Sequence, residues 1–351
     1  YPNGKVRLES LTIKGKRNGI TKEYDENGRL KFEWNFENNV LNGISKEYLK
    51  DGKVMEGVYT NGVIGEYKVY YSTKELFEKG NYNLNQLDGL VTQYYKTGAR
   101  LRVLNYESGI IKNATSFFES GEKKTDYKYS NNKLNGRSTE YYVDGTTNFV
   151  WNYKNSLLNG NTYEYPNDST YLIWVYDEGD LKSSNLYNFI TDELLYYTPY
   201  SNKKRHGIGF KYNSAGDVTT EFIYTNDTLK KSLVYFESGQ VRFEYKYEND
   251  KLNGITNEYY QNGNIRFHWN YIDGKKEGIS TNYYIDGEVQ VKWLYENDKL
   301  NGISIQYFKN GNIEFETNYK DGLHHGEMIR YDKKGKVRYI NNYINGEYQK
   351  E

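Results

Sequence analysis

Cysteine is absent from the 351 residues, and proline (3), methionine (2) and alanine (3) are scarce. The first absence excludes disulfides and thiolate metal sites, and it fits a reducing cytoplasm as well as an exported protein that avoids thiols. The scarcity of alanine and methionine removes two common helix formers, so no helix is expected. Nor is there an apolar run of about 18 residues, which excludes a transmembrane helix in this stretch. Net charge is missing too. Lysine plus arginine number 47 and aspartate plus glutamate 47, so no long-range field gathers nucleic acid or an anionic membrane.

What is present is tyrosine (41) and glycine (33), and a repeat. Residues 251–274, KLNGITNEYYQNGNIRFHWNYIDG, recur without a gap as KKEGISTNYYIDGEVQVKWLYEND (275–298), KLNGISIQYFKNGNIEFETNYKDG (299–322) and LHHGEMIRYDKKGKVRYINNYING (323–346). A fixed period of this length marks a repeat array and overrides the prior of two or three globular domains that chain length suggests. The opening residues YPNG match the middle of a unit (YQNG, 260–263). The chain is therefore read as starting inside a repeat, and the lack of a targeting segment carries no weight.

Two glycine landmarks define each unit, the second nine residues after the first. Gly254, Gly278, Gly302 and Gly326 belong to the first set, and Gly263, Gly287, Gly311 and Gly335 to the second. Followed along the chain, they give about fourteen units of about 24 residues. First-set members are missing near Asn113, Ser184 and Lys231, and second-set members near Lys74, Ser169 and Asp192. Glycine after Asn or Asp supplies the positive φ of tight hairpin turns, so each landmark is read as a chain reversal.

Two reversals per unit give two strands. After the second glycine, Ile265, Phe267, Trp269 and Tyr271 alternate with Arg266, His268 and Asn270. This period of two predicts a strand with one buried face. The other strand carries an aromatic residue five positions after the first glycine, such as Tyr259, Tyr283 and Tyr307. This position is read as inward and the next, more variable one as outward. Short connections join strands only antiparallel to their neighbours. The expected fold is therefore all-β: an elongated single-sheet antiparallel meander of β-hairpin repeats, one continuous array over 1–351. No single unit buries enough to fold alone, so stability must come from stacking on neighbours.

The pattern NG-x4-YY-x2-G-x-I-x5-NY-x2-G, met by NGITNEYYQNGNIRFHWNYIDG, resembles the bacterial MORN-variant repeat, a family often described as YwqK-like antitoxins. The resemblance implies a series of β-hairpins in an extended, curved sheet that serves as a binding or structural scaffold. It brings no catalytic residues, and its antitoxin label would imply a toxin partner. The pattern weakens most at 165–205, where three expected glycines are missing and Pro166 and Pro199 occur. Drift in a tolerant unit, with both prolines at turns or edges, is one reading, and a bend or ligand-facing site the other.

Candidate chemistry is sparse. His206, His268, His324 and His325 are the only histidines, and they lack the convergent partners of a metal site, so neither metal nor cofactor is expected. Neither a phosphate-binding glycine loop nor a nucleophile, base and orienting group at unique positions is recognisable, so an enzyme is not expected. Glu33, Glu244, His268, Lys292 and Glu316 occupy equivalent outward rungs and read as a solvated face of mixed sign. Tyr260, Tyr284 and Phe308 fall in a row on three consecutive units. They are read as a partner-binding patch or as a second structural ladder, with Arg266 and His268 as weaker candidates.

The expectation is a non-enzymatic scaffold binding a protein, with a glycan as the other occupant, along one sheet face in surface interaction or adhesion. A cytoplasmic antitoxin-like or regulatory protein and a structural spacer are the alternatives. Export to the cell surface or periplasm is the favoured placement.

Overall fold

The computed structural model describes residues 1–350. It is all-β, with 38 strands that follow one another as an antiparallel meander. No helix among the described residues is long and apolar enough to cross a membrane. The chain forms two compact units, one comprising residues 1–166 and 175–179 and the other residues 167–174 and 180–351. The division falls inside the irregular stretch 165–205.

In the second unit, strands Gly254–Tyr259 and Ile265–Ile272 form one hairpin, and Gly278–Tyr283 and Val289–Glu296 the next. The reversal between them within a repeat is the loop of the second-set glycine. Tyr260 N–H donates to the Asn264 carbonyl, Gly263 N–H donates to the Tyr260 carbonyl, and Gly263 has φ +86°. Where glycine is missing from this loop, Lys74 (φ 79°) and Asp192 (φ 59°) take the same left-handed conformation, whereas Ser169 does not.

The first-set glycine is not a reversal. The chain turns four to five residues earlier, at two-residue turns such as Asn249 and Asp250, or Asp273 and Gly274, both residues of each having positive φ. This is the geometry a tight hairpin turn demands. A two-residue strand, Lys251–Leu252, then continues the pairing. Gly254 (φ 81°) sits at a bulge with two extra residues before the next strand begins. In the hairpin two units on, Asn318 Nδ2 donates to the Glu327 carbonyl beside Gly326. Likewise Asn270 Nδ2 donates to the Glu277 carbonyl beside Gly278. A Cβ on Gly43 would lie 2.8 Å from Asn35 Nδ2. At Gly43 the Asn35 amide thus occupies the space a side chain would need, while at Gly302 Leu294 takes that place.

A second bulge closes the other end of most hairpins, although Gly43–Tyr48 and Val54–Thr60 pair without one. Glu258 pairs with Phe267 but Tyr259 with Ile265, leaving residue 266 extra. Because such a bulge turns two neighbours to the same side, Arg266 faces the way Phe267 does, and its guanidinium reaches Glu258 at 3.1 Å. Ile265 shifts to the opposite face with Tyr259. The alternation read from sequence therefore holds from Phe267 to Tyr271 but breaks at Ile265.

Among the described residues few large side chains are buried. One face carries Phe267, Trp269 and Tyr271, with Phe267 stacked on Trp269 at 4.9 Å. Beneath these rings lies a row of small residues two positions after the first glycine: Thr21, Ser45, Val91, Ser138, Thr162, Thr256, Ser280 and Ser304, all buried. Thr256 pairs with Trp269 and Ser280 with Trp293, so small size lets the indoles lie flat across the neighbouring strand. The hydroxyls of Thr256, Ser280 and Ser304 have no protein partner, consistent with a position chosen for size.

Units lacking the first glycine are one residue shorter. From Gly98 to Gly121 is 23 residues, and from Gly239 to Gly263 is 24. In the shorter units a one-residue bulge replaces the longer one, and Ala114 and Ser232 still occupy the buried row. Pro199, expected at a turn or edge, lies within strand Leu194–Ser201. It sits opposite the bulge at His206 and Gly207, where His206 N–H donates to the Pro199 carbonyl. A bulge is one of the few sheet positions that tolerate a residue without an N–H.

Candidate binding surface

The face opposite the indoles is built by the fifth-position tyrosines. Tyr259, expected inward with Phe267 and Trp269, lies on the other face. Its hydroxyl donates to Glu244 Oε2 at 3.0 Å. Tyr24 to Glu9, Tyr48 to Glu33 and Tyr331 to Glu316 repeat the contact at 2.9, 3.1 and 2.8 Å. The rungs Glu33, Glu244 and Glu316 are therefore hydrogen-bonded acceptors for the next unit and not merely a solvated row. On the equivalent rung, Lys292 lies over the Tyr307 ring at 5.9 Å. Burial first, then Glu244, pushes the Tyr259 phenol above its usual range. The Lys231 ammonium, 2.8 Å from Glu244, holds that carboxyl below its usual range.

The sixth-position side chains sit on the indole face, with Tyr260, Tyr284 and Phe308 half-buried and Tyr142 exposed. Tyr260 donates its hydroxyl to the Tyr283 carbonyl at 2.8 Å, and Tyr284 to the Tyr307 carbonyl at 3.0 Å. Tyr1, Tyr71, Tyr95 and Tyr142 do the same one unit along. These phenols plug the gaps between consecutive turns, so the structure gives the row a role within the array. Arg266 lies over the Tyr260 ring at 5.8 Å. Phe308 has no hydroxyl and lines an open depression.

What sequence reasoning passed over is the residue between the first glycine and the buried small residue. Ile255, Ile279 and Ile303 project from the tyrosine-rung face, and Ile279 and Ile303 are 59% and 55% exposed. Leu294 pairs directly with Ile279 and packs against Gly302, next to Ile303, joining the two. Ile20 and Ile44 repeat the position in the first unit and are also exposed. The signal was legible as a recurring Gly-Ile-Ser/Thr, an apolar residue at a fixed place with no buried role in a period-two strand.

The histidines do not converge. His324 Nε2 lies 2.9 Å from the Tyr319 hydroxyl, with the ring edge-on between Tyr319 and Tyr343, while His325 Nδ1 faces Asn345. No group of three or more potential metal ligands occurs among the described residues.

Compared with known families, the chain matches the MORN repeat variant at residues 17–38, 252–273, 300–321 and 325–345. No curated protein sequence matches it. Among solved structures, the chain is similar to the TcdB2-TccC3-TEV crystal structure at 12% identity and a TM-score of 0.14, with 90% of this chain and 21% of that chain covered. The Photorhabdus luminescens Tc holotoxin pore is similar at 12% and 0.15, with 93% and 21% covered. A porin-like protein from Bacteroides uniformis is similar at 13% and 0.17, with 68% and 92% covered. The chain thus spans about a fifth of the length of the first two.

Proposed function

We propose that the chain is a non-catalytic repeat scaffold that holds a protein partner against its isoleucine-bearing face. The observation that carries this reading is the row Ile255, Ile279, Leu294 and Ile303, an aliphatic strip left open to solvent. Contiguous exposed apolar area of this kind is uncommon on a soluble surface and marks contact sites. The apolar position recurs at Ile20, Ile44, Leu90 and Ile208 and is interrupted by Glu66, Arg137, Asn161 and Glu327, so the surface it offers lengthens over the consecutive units that keep it. Balanced charge suits contacts that rest on apolar packing and hydrogen bonding more than on electrostatic steering.

The test compares wild type with Ile279→Ser/Ile303→Ser in affinity capture from cells that naturally make the protein. Circular dichroism melting serves as a folding control. Loss of a specific captured protein with unchanged melting supports the reading. Equal capture by both chains overturns this face as the site, and absence of any specific partner favours a structural spacer.

A further inference from the structure

The plugging tyrosine is replaced in several units, among them Asn213 and Phe236, and at Phe308 and Asp332 the surface chemistry changes as well. Phe308 cannot make the phenol contact, and the next residue in the row is the short Asp332. A depression of about 690 Å³ opens there, walled by Phe308, Tyr339, Arg330 and Arg338 and by the turn carrying Lys333 and Lys334. The turn at 332–336 reads DKKGK, whereas the equivalent variable residues in the preceding three units are QNGN, IDGE and KNGN. It is the cationic member of the series.

This turn is held in shape before any ligand arrives. The Asp332 carboxylate accepts the N–H groups of Lys334 and Lys336 at 2.9 and 3.0 Å and lies 3.3 Å from Arg338. Those backbone bonds hold its carboxyl below the usual range. The Lys333 carbonyl accepts Nδ2 of Asn310 at 3.1 Å and of Asn312 at 2.8 Å from the preceding turn. Among the described residues, no carboxylate stands within ion-pair distance of Lys333, Lys334 or Lys336. In a chain of zero formal charge this is a local surplus of cations. The Arg330 guanidinium stands over the Phe315 and Tyr339 rings at 5.3 and 6.0 Å.

We propose that this depression binds an acidic peptide segment of a protein partner, independently of the isoleucine face. Carboxylates would meet Lys333, Lys334 and the planar fork of Arg338, which suits bidentate acceptors. An apolar or aromatic side chain of the peptide would lie against Phe308 and Tyr339. This mixture of rings and cations favours a peptide over a bare anion, which would use only the cations. The concave placement favours it over a flat anionic bilayer.

Fluorescence anisotropy on the full chain tests it, with a labelled Glu-Glu-Trp-Glu-Glu peptide against its Gln-Gln-Trp-Gln-Gln counterpart. The acidic peptide should bind saturably and the neutral one should not. Lys333→Glu/Lys334→Glu should weaken binding by about tenfold or more, with unchanged melting because both side chains are exposed turn residues. Ile279→Ser/Ile303→Ser should leave peptide binding untouched, which separates this site from the proposed partner face. Absence of saturable binding, indifference to the charge reversal, or equally tight binding of inorganic phosphate or of phosphatidylserine vesicles would each overturn the proposal.

Discussion

Tyr259 and Glu244 stand fifteen residues apart in sequence and 3.0 Å apart in space, and their contact fastens one repeat to the one before it. Lys231, 2.8 Å from the same carboxylate, extends the link to a third strand. Glu244→Ala should lower unfolding free energy by about 1–3 kcal/mol, since a hydrogen bond to a charged group is lost and its partners are left unpaired. Chemical denaturation of the two proteins measures this. The Glu244 carboxyl titrates below its ordinary 4.5 in the folded state, chiefly because of Lys231. Its contribution is therefore present above that value and is lost as pH falls through the lower folded value. Glu244→Gln should accordingly show a shallower acid loss of stability than wild type.

Tyr67 replaces the small residue of the buried row and is itself 4% exposed. The directly opposed residues on both neighbouring strands are glycines, Gly57 and Gly80. A Cβ on Gly80 would lie 2.8 Å from Tyr67 Cε1 and 2.9 Å from Val91 Cγ2. Gly80→Ala should therefore destabilise by about 1–3 kcal/mol as an overpacking change. Combined with Tyr67→Ser, its cost should shrink. A double-mutant cycle in thermal or chemical unfolding measures the coupling, and additive effects would contradict the volume exchange.

Lys74 adopts φ 79° in a turn where most other units place glycine. Left-handed backbone strains a residue that has a Cβ, while glycine costs more in chain entropy, so Lys74→Gly should stabilise by roughly 0.5–1 kcal/mol. A lower melting temperature in the variant would show that the lysine side chain contributes more than the strain costs.

The phenols predict alkaline sensitivity. Tyr67 is raised well above its ordinary 10.0, by burial first and then by Glu78, whose carboxylate accepts its hydroxyl at 2.8 Å. Burial and then Glu221 push Tyr235 up to about 12. Groups raised in the folded state contribute stability that is complete below the unfolded value of about 10 and is lost as pH rises through the folded values. Unfolding should thus set in above pH 10, with a cooperative rise in tyrosinate absorbance that coincides with loss of the far-ultraviolet β signal. Non-cooperative ionisation at pH 10 with the sheet intact would contradict this.

The repeat, the absence of helix and the antiparallel meander were legible because the same spacing of Gly, Tyr and alternating apolar residues returns many times. Assignment of faces was legible only between bulges. Residue 266 adds one position to its strand, and everything beyond it, Ile265 included, changes sides without any change in composition. Gly254 drew the reversal to itself because Asn-Gly is the strongest short turn signal, while the true turn before it, at Asn249 and Asp250, holds no glycine. The exposed strip at Ile279 and Ile303 hid between two structural residues. The sixth-position row was visible, but not that a carbonyl one unit away would take each phenol.

In an ordinary sheet, adding or losing one residue turns every later side chain to the wrong face. Here bulges at the hairpin ends absorb the difference, so units of 23 and 24 residues both keep their small residue buried, as Ala114 and Thr256 show. Small insertions and deletions are thereby made tolerable one repeat at a time. A gene built this way can vary its copies in length as well as in sequence, and the outward isoleucines and cationic turn can change in one unit while its neighbours stay in phase.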